Sequence, residues 1–179
     1  TGYGSGILAE HAKKVYGIDI SREAVSYAQT HYARENIDFL QMSIEHLDFP
    51  DAFFDVVVSF ETIEHVDREV QKHFLSEIKR CLKPDGLLLM TTPNDELYRQ
   101  MTRGSYDNPY HVAEFDESGF RAFLNKEFQY VTMYYQNVTG VSSILREGKD
   151  VRTYTGTCED TYHSFGRYYL GICSQQPLH

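Results

Sequence analysis

The chain opens on Thr1-Gly2-Tyr3-Gly4-Ser5-Gly6, passes into helix-like Ile7-Leu8-Ala9-Glu10-His11-Ala12, and then gives Val15-Tyr16-Gly17-Ile18-Asp19, a short apolar run closed by an acid. Glycines at the start of a helix let backbone N–H groups approach a polar ligand closely. An acid at the end of the next strand lies beside that turn, where it accepts both hydroxyls of a ribose. Gly2, Gly4, Gly6 and Asp19 meet these requirements and imply a nucleoside-bearing cofactor; the plainer alternative is a glycine turn that serves packing alone. Gly4-Ser5-Gly6-Ile7-Leu8-Ala9 also mimics a dinucleotide fingerprint, but Asp19 follows sooner than the roughly 20 residues such a site needs. A turn of this kind normally follows a buried strand, and that expected first strand is missing from the chain as given.

Outward from this stretch, strands and helices alternate. Ser21 is a helix N-cap candidate, with Ala24, Val25, Ala28 and Tyr32 at helical spacing through about residue 33. Residues 37–42 predict a strand, and Asp55-Val56-Val57-Val58-Ser59-Phe60 predicts a strongly apolar one. Residues 70–82 form an amphipathic helix pattern (Phe74, Leu75, Ile78, Leu82) stopped by Pro84-Asp85-Gly86, and residues 86–92 another buried strand closed by Pro93. Apolar strands separated by helices predict a doubly wound, Rossmann-like α/β fold with a mostly parallel sheet. Past Pro93 the rhythm changes. Residues 94–114 make a long polar and aromatic connection, expected to act as a lid or substrate segment. A helix is expected at 117–126 and strands at 130–136 and 168–173, the last two pairing as an antiparallel hairpin-style end.

Length and composition fit one domain spanning residues 1–179: hydrophobic residues are 41% and charged residues 24%, which excludes a disordered chain, a coiled coil and a collagen-like fibre. No apolar run reaches the roughly 20 residues of a membrane span. The net charge of −9 argues against nucleic acid as a partner. Three widely spaced cysteines, Cys81, Cys158 and Cys173, suit a reducing cytoplasm. Nothing in the sequence fixes an oligomeric state.

Taken in order, Gly2-Tyr3-Gly4-Ser5-Gly6, Gly17-Ile18-Asp19-Ile20-Ser21, Asp55-Val56-Val57-Val58-Ser59 and Leu82-Lys83-Pro84-Asp85-Gly86-Leu87-Leu88 resemble the class I S-adenosylmethionine (SAM)-dependent methyltransferases. The resemblance covers about the first hundred residues. It implies that the glycine loop carries the methionine end of SAM, that Asp19, with Ile20 beside it, binds the ribose, and that Met42-Ser43-Ile44 contacts the adenine. Ser43 stands where the family commonly has an acid, so adenine recognition would rest on a hydroxyl and the backbone.

A second constellation, Phe60-Glu61-Thr62-Ile63-Glu64-His65-Val66, follows the strand expected to be the most buried, where side chains face the cofactor crevice. If the segment turns helical, Glu61, Glu64 and His65 share one face. Two carboxylates and an imidazole suit Mg²⁺ or Mn²⁺, with His111 as a further ligand from Asn108-Pro109-Tyr110-His111. The arrangement resembles the ubiquinone-pathway O-methyltransferases and the small-RNA 3′-terminal 2′-O-methyltransferases, which implies Glu61, Glu64, His65 and His111 as ligands. Similar Glu-His-Val segments occur in methyltransferases without a metal. His65 as a base or substrate contact, with Glu61 beside it, therefore stays open, as do simple capping or packing and a loop-anchoring role for His111. Arg103, Tyr106, Tyr110 and His111 are the substrate candidates of the lid, and Glu114 a hydrogen-bonding anchor for it.

The leading expectation is an enzyme that methylates an oxygen of a small-molecule or glycan-type acceptor. A metal-dependent RNA 3′-terminal 2′-O-methyltransferase is a second reading, a non-catalytic SAM-fold module that binds a partner protein a third, and a nicotinamide oxidoreductase, opposed by the Asp19 spacing, a fourth.

Overall fold

A computed structural model describes residues 2–94, 108–136 and 168–177. Two β-α-β units carry the first half. In the first, β1 (Val15–Asp19) leads through α2 (Arg22–His31) to β2 (Ile37–Gln41), and the two strands pair in parallel with Val15 opposite Ile37 and Asp19 opposite Gln41. The helix starts where the cap chemistry demands: the Ser21 hydroxyl accepts from the Ala24 N–H at 3.1 Å. Val15, Val25, Ala28, Ile37 and Phe39 bury together with Ala9 as one small core.

A short helix, α1 (Tyr3–Leu8), precedes β1 and begins inside the glycine run rather than after it. Two glycines explain how it can lie so close. Gly2 has φ +93°, and a Cβ there would stand 2.7 Å from the Ala28 Cβ. A Cβ on Gly17 would stand 2.9 Å from the Ser5 hydroxyl and 2.7 Å from the Phe39 ring. Both positions admit no side chain because α1, α2 and β2 close in on them.

In the second unit, β3 (Phe54–Phe60) leads through a 3₁₀ turn (Ile63–His65) and α3 (Arg68–Cys81) to β4 (Leu82–Pro93). Asp67 caps α3 by accepting from the Glu69 and Val70 N–H groups. The strand takes over at Leu82, earlier than the Pro84-Asp85-Gly86 stop suggests, because the ladder slips from Phe54–Leu82 to Val56–Leu87 and the extra residues bulge out. The chain ends with α4 (Glu117–Leu124), capped by Asp116, then β5 (Tyr130–Gln136) and β6 (Tyr168–Ser174). Strand β6 runs antiparallel to both β4 and β5.

The described strands form two ladders, β1-β2 and β3-β4-β6-β5, so the α/β architecture with an antiparallel C-terminal strand stands. One expectation about burial does not hold. The apolar run of β3 is an edge among the described strands, and Val56 remains 47% exposed. The main core lies against α3 and α4, where Phe74, Leu75, Ile78, Leu88, Met90, Phe120, Leu124 and Cys173 are all buried. Burial alone pushes the Cys173 thiol up to about 12, which makes it an inert packing residue. Among the described residues no helix is long and apolar enough to cross a membrane.

One polar knot fastens the connection between β2 and β3 to α3. Arg80 donates to both Glu77 carboxylate oxygens, to Asp51 and to the carbonyls of Leu47 and Phe49, while Glu77 also accepts from the Leu47 N–H. The Arg80 bonds hold the Glu77 carboxyl down at about 2, against an ordinary 4.5. A carboxyl depressed in the folded state contributes stability above its unfolded value and loses it as pH falls toward 2. Glu77→Gln should therefore lower unfolding free energy at pH 7 by about 1–2 kcal/mol after solvent screening. The difference from wild type in urea denaturation should close between about pH 4.5 and pH 2, and a gap that is constant with pH would contradict this role.

Candidate functional site

Three chain segments meet at the carboxyl end of β1 and β2. The Met42 N–H donates to the Asp19 carbonyl at 3.0 Å and the Gln41 carboxamide to the Ile20 carbonyl at 3.1 Å, which ties residues 19–20 to residues 41–43. The Ser5–Gly17 approach brings α1 to the same strand. Here Asp19 is half-buried, with one carboxylate oxygen accepting from the Ser21 N–H at 2.9 Å. Ile20 is 71% exposed. Ser43 turns its hydroxyl to the Glu45 N–H at 3.2 Å, and Ile44 packs partly on the main core. Around Gly4 there is open space: a Cβ would meet nothing within 4 Å. Gly2, in contrast, packs closely against α2. Phe60 stands 52% exposed at the end of β3.

Beyond Phe60 the backbone does something the sequence does not announce. Glu61 adopts φ +51°, a left-handed conformation that a side-chain-bearing residue takes at a cost of roughly 1 kcal/mol. Thr91 on β4 holds it there. The Thr91 hydroxyl donates to the Glu61 carboxylate at 2.7 Å, and the Glu61 N–H points back to Thr91. The helical turn then begins only at Ile63, so Glu61 does not share a helical face with Glu64 and His65.

What comes together instead is Glu64, His65 and His111, whose donor atoms lie within 4.8 Å of one another. Glu64 is only 1% exposed, and Thr92 donates to its carboxylate at 3.3 Å. Its carboxyl is pushed up by burial; that of Glu61 is pushed up by burial too, and also by its neighbour Glu64. The two imidazoles stand edge to face with centroids 5.2 Å apart. Each is fixed through Nδ1: His65 to the Tyr110 carbonyl at 2.9 Å, His111 to the Glu114 carboxylate at 2.8 Å. Glu114 thus occupies the anchoring position expected of it. Nε2 of His65 lies 3.8 Å from the Glu64 carboxylate while its Nδ1 is held from outside the cluster, an arrangement in which outer hydrogen bonds orient histidine ligands.

Tyr110 itself is 74% exposed, and it is its backbone that serves the site. Arg103 and Tyr106 lie outside the described residues, as does most of the expected lid. Sequence reasoning passed over Thr91, Thr92 and Gln71, buried polar residues on β4 and α3; only their polarity inside otherwise apolar segments could have marked them.

The backbone strain at position 61 is measurable apart from chemistry. Glu61→Gly and Glu61→Ala both lose the carboxylate, but only glycine relaxes at φ +51°. Urea unfolding should find the glycine variant more stable than the alanine variant by about 0.5–1 kcal/mol, the reverse of the usual order. An alanine variant of equal or greater stability would rule the strain out.

Residues 1–90 match the family described as "Methyltransferase domain". A "Probable S-adenosylmethionine-dependent methyltransferase" of Mycolicibacterium smegmatis is 36% identical over 123 residues, 69% of this chain and 46% of the relative. A ubiquinone biosynthesis O-methyltransferase of Rickettsia conorii is 40% identical over 90 residues, 49% of this chain and 30% of the relative. The chain therefore spans less than half the length of these relatives. A solved complex between the Haloferax volcanii Trm112 methyltransferase activator and a methyltransferase gives a TM-score of 0.68 at 20% identity, covering 97% of this chain and 78% of that one, a likeness of fold. With half of its residues matched, the chain belongs to the class I SAM-dependent methyltransferases.

Proposed function

We propose that this chain transfers a methyl group from SAM to an oxygen of a small-molecule or glycan-type acceptor, in the cytoplasm, as a single domain over residues 1–179. The observation that carries the acceptor chemistry is the convergence of Glu64, His65 and His111 within 4.8 Å, each imidazole oriented through Nδ1. Glu64 and the neighbouring Glu61 offer the carboxylate oxygens that a hard cation of the Mn²⁺ or Mg²⁺ kind prefers, and the two imidazoles turn that preference toward Mn²⁺. When bound, SAM supplies an electrophilic methyl group and such a cation lowers the pKa of a neighbouring hydroxyl.

The chain's own residues hold the reactants in place. The half-buried Asp19 keeps one oxygen on Ser21 and has the other for a ribose hydroxyl. The open space at Gly4 admits a ligand against the backbone, and Ile20, Ser43, Ile44 and Phe60 border the cofactor. Glu61, anchored by Thr91, stands beside the cluster as a second carboxylate. In the lid, Arg103, Tyr106 and Tyr110 are the acceptor contacts, together with His111. Without a cation, the general base of this reading is His65, whose Nε2 lies 3.8 Å from the Glu64 carboxylate. An RNA 3′ end as acceptor is disfavoured by the net charge of −9.

Calorimetry and transfer of labelled methyl groups test this in the intact protein. Asp19→Ala should weaken SAM binding by about 10- to 100-fold, the worth of a charged hydrogen-bonded contact. Glu64→Ala and His65→Ala should abolish transfer while leaving SAM affinity within about twofold. Chelation should stop transfer and added Mn²⁺ or Mg²⁺ restore it. Transfer that survives thorough chelation would eliminate the cation and leave His65 as the base; no heat of SAM binding would favour a non-catalytic module.

A further inference from the structure

Gln71 lies one turn into α3, outside the cluster of donors, yet it is 1% exposed and hydrogen-bonds to two separate segments of the chain. Its carboxamide nitrogen donates to the carbonyls of Ile63 and Ala113, each at 2.8 Å, with Val66 as a longer third acceptor at 3.3 Å. Ile63 and Val66 bracket Glu64 and His65 on the 3₁₀ turn, and Ala113 follows His111 by two residues. One buried side chain therefore bridges the two segments that supply the three donors.

The bridge has a second arm. The Gln71 carboxamide oxygen accepts from Arg68 at 2.9 Å, and Arg68 donates onward to the Glu114 carbonyl while its guanidinium covers the Phe115 ring at 4.3 Å. Glu114 is in turn the residue that orients the His111 ring. From the other side, the N–H groups of Val112 and Ala113 both reach the Glu64 carbonyl, at 2.8 and 3.2 Å.

We infer that Gln71 is a positioning residue for the methyl-transfer site, clamping the His111 segment onto the Glu64–His65 turn so that the three donors stay in register. The inference rests on the three-donor reading of the site. A carboxamide is required by the partners: only –NH₂ can satisfy carbonyls from both segments while its oxygen accepts from Arg68. Glutamate, of the same shape, would set a carboxylate against three carbonyl oxygens in a buried place. Methionine would fill the volume and donate nothing.

The test uses Gln71→Met in the intact protein, with three measurements. Amide hydrogen exchange at Val112 and Ala113 should accelerate at least tenfold. Mn²⁺ added alone should bind about 10- to 100-fold more weakly, the usual consequence of losing support behind metal ligands. SAM affinity should change less than twofold, which a general loss of structure would not allow. Unchanged exchange at Val112 and Ala113 would overturn the inference. If the wild type binds no Mn²⁺, the cation reading fails, and faster exchange together with reduced methyl transfer still supports the clamp. Should Gln71→Met not fold, Arg68→Met removes the outer arm alone. It should accelerate the same two amides and, where the wild type binds Mn²⁺, weaken that binding about three- to tenfold; unchanged exchange at both amides would equally overturn the clamp.

Discussion

The Glu64 carbonyl accepts two backbone N–H groups, from Val112 and Ala113, and everything distinctive about the site depends on this join. Residues 64 and 111 are far apart in sequence, with α3 and β4 between them. Backbone hydrogen bonds of this kind specify position without specifying side chains, so Val112 and Ala113 dock the segment by its main chain. His111 is thereby placed next to His65, with centroids 5.2 Å apart. Burial of Glu64 raises its carboxyl and makes a neighbouring positive charge favourable. The join thus gathers a buried carboxylate and two oriented imidazoles in one place.

The surrounding fold supplies rigidity where the join needs it. The central strand β4 is buried throughout its last residues, and two of its threonines, Thr91 and Thr92, reach the Glu61 and Glu64 carboxylates. Helix α3 starts at a well-capped Asp67, presents Gln71 and Arg68 to the turn and loop, and fastens its other end through the Glu77–Arg80 knot. The left-handed Glu61 is the strained point between β3 and this framework. Strain of this sort persists because neighbouring contacts over-determine it.

Much of the scaffold could be read from residues. The run Val15-Tyr16-Gly17-Ile18-Asp19 is β1 residue for residue, and Ser21 caps α2 as its hydroxyl predicts. The helix expected at 117–126 is α4, and Phe120, Phe123 and Leu124 on it are core. These are local signals, carried by alternation, periodicity and cap chemistry. What could not be read depends on distant neighbours. Val56 is half exposed because a strand's burial is set by what flanks it. Glu61 leaves the helical face because Thr91, thirty residues on, holds its carboxylate and N–H. The nearness of His111 was suggested by resemblance, while the clamp that could enforce it, Gln71, is an unremarkable polar residue within an amphipathic helix.

The account is tested most directly by pulsed electron paramagnetic resonance of the intact protein with bound Mn²⁺, comparing unlabelled protein with protein carrying ¹⁵N-histidine. Directly coordinated nitrogens couple to the electron spin and change character on isotopic substitution. The predicted spectrum shows two histidine nitrogens, one of them lost in His65→Ala and the other in His111→Ala. A spectrum of fully hydrated Mn²⁺, with no histidine coupling, would contradict it.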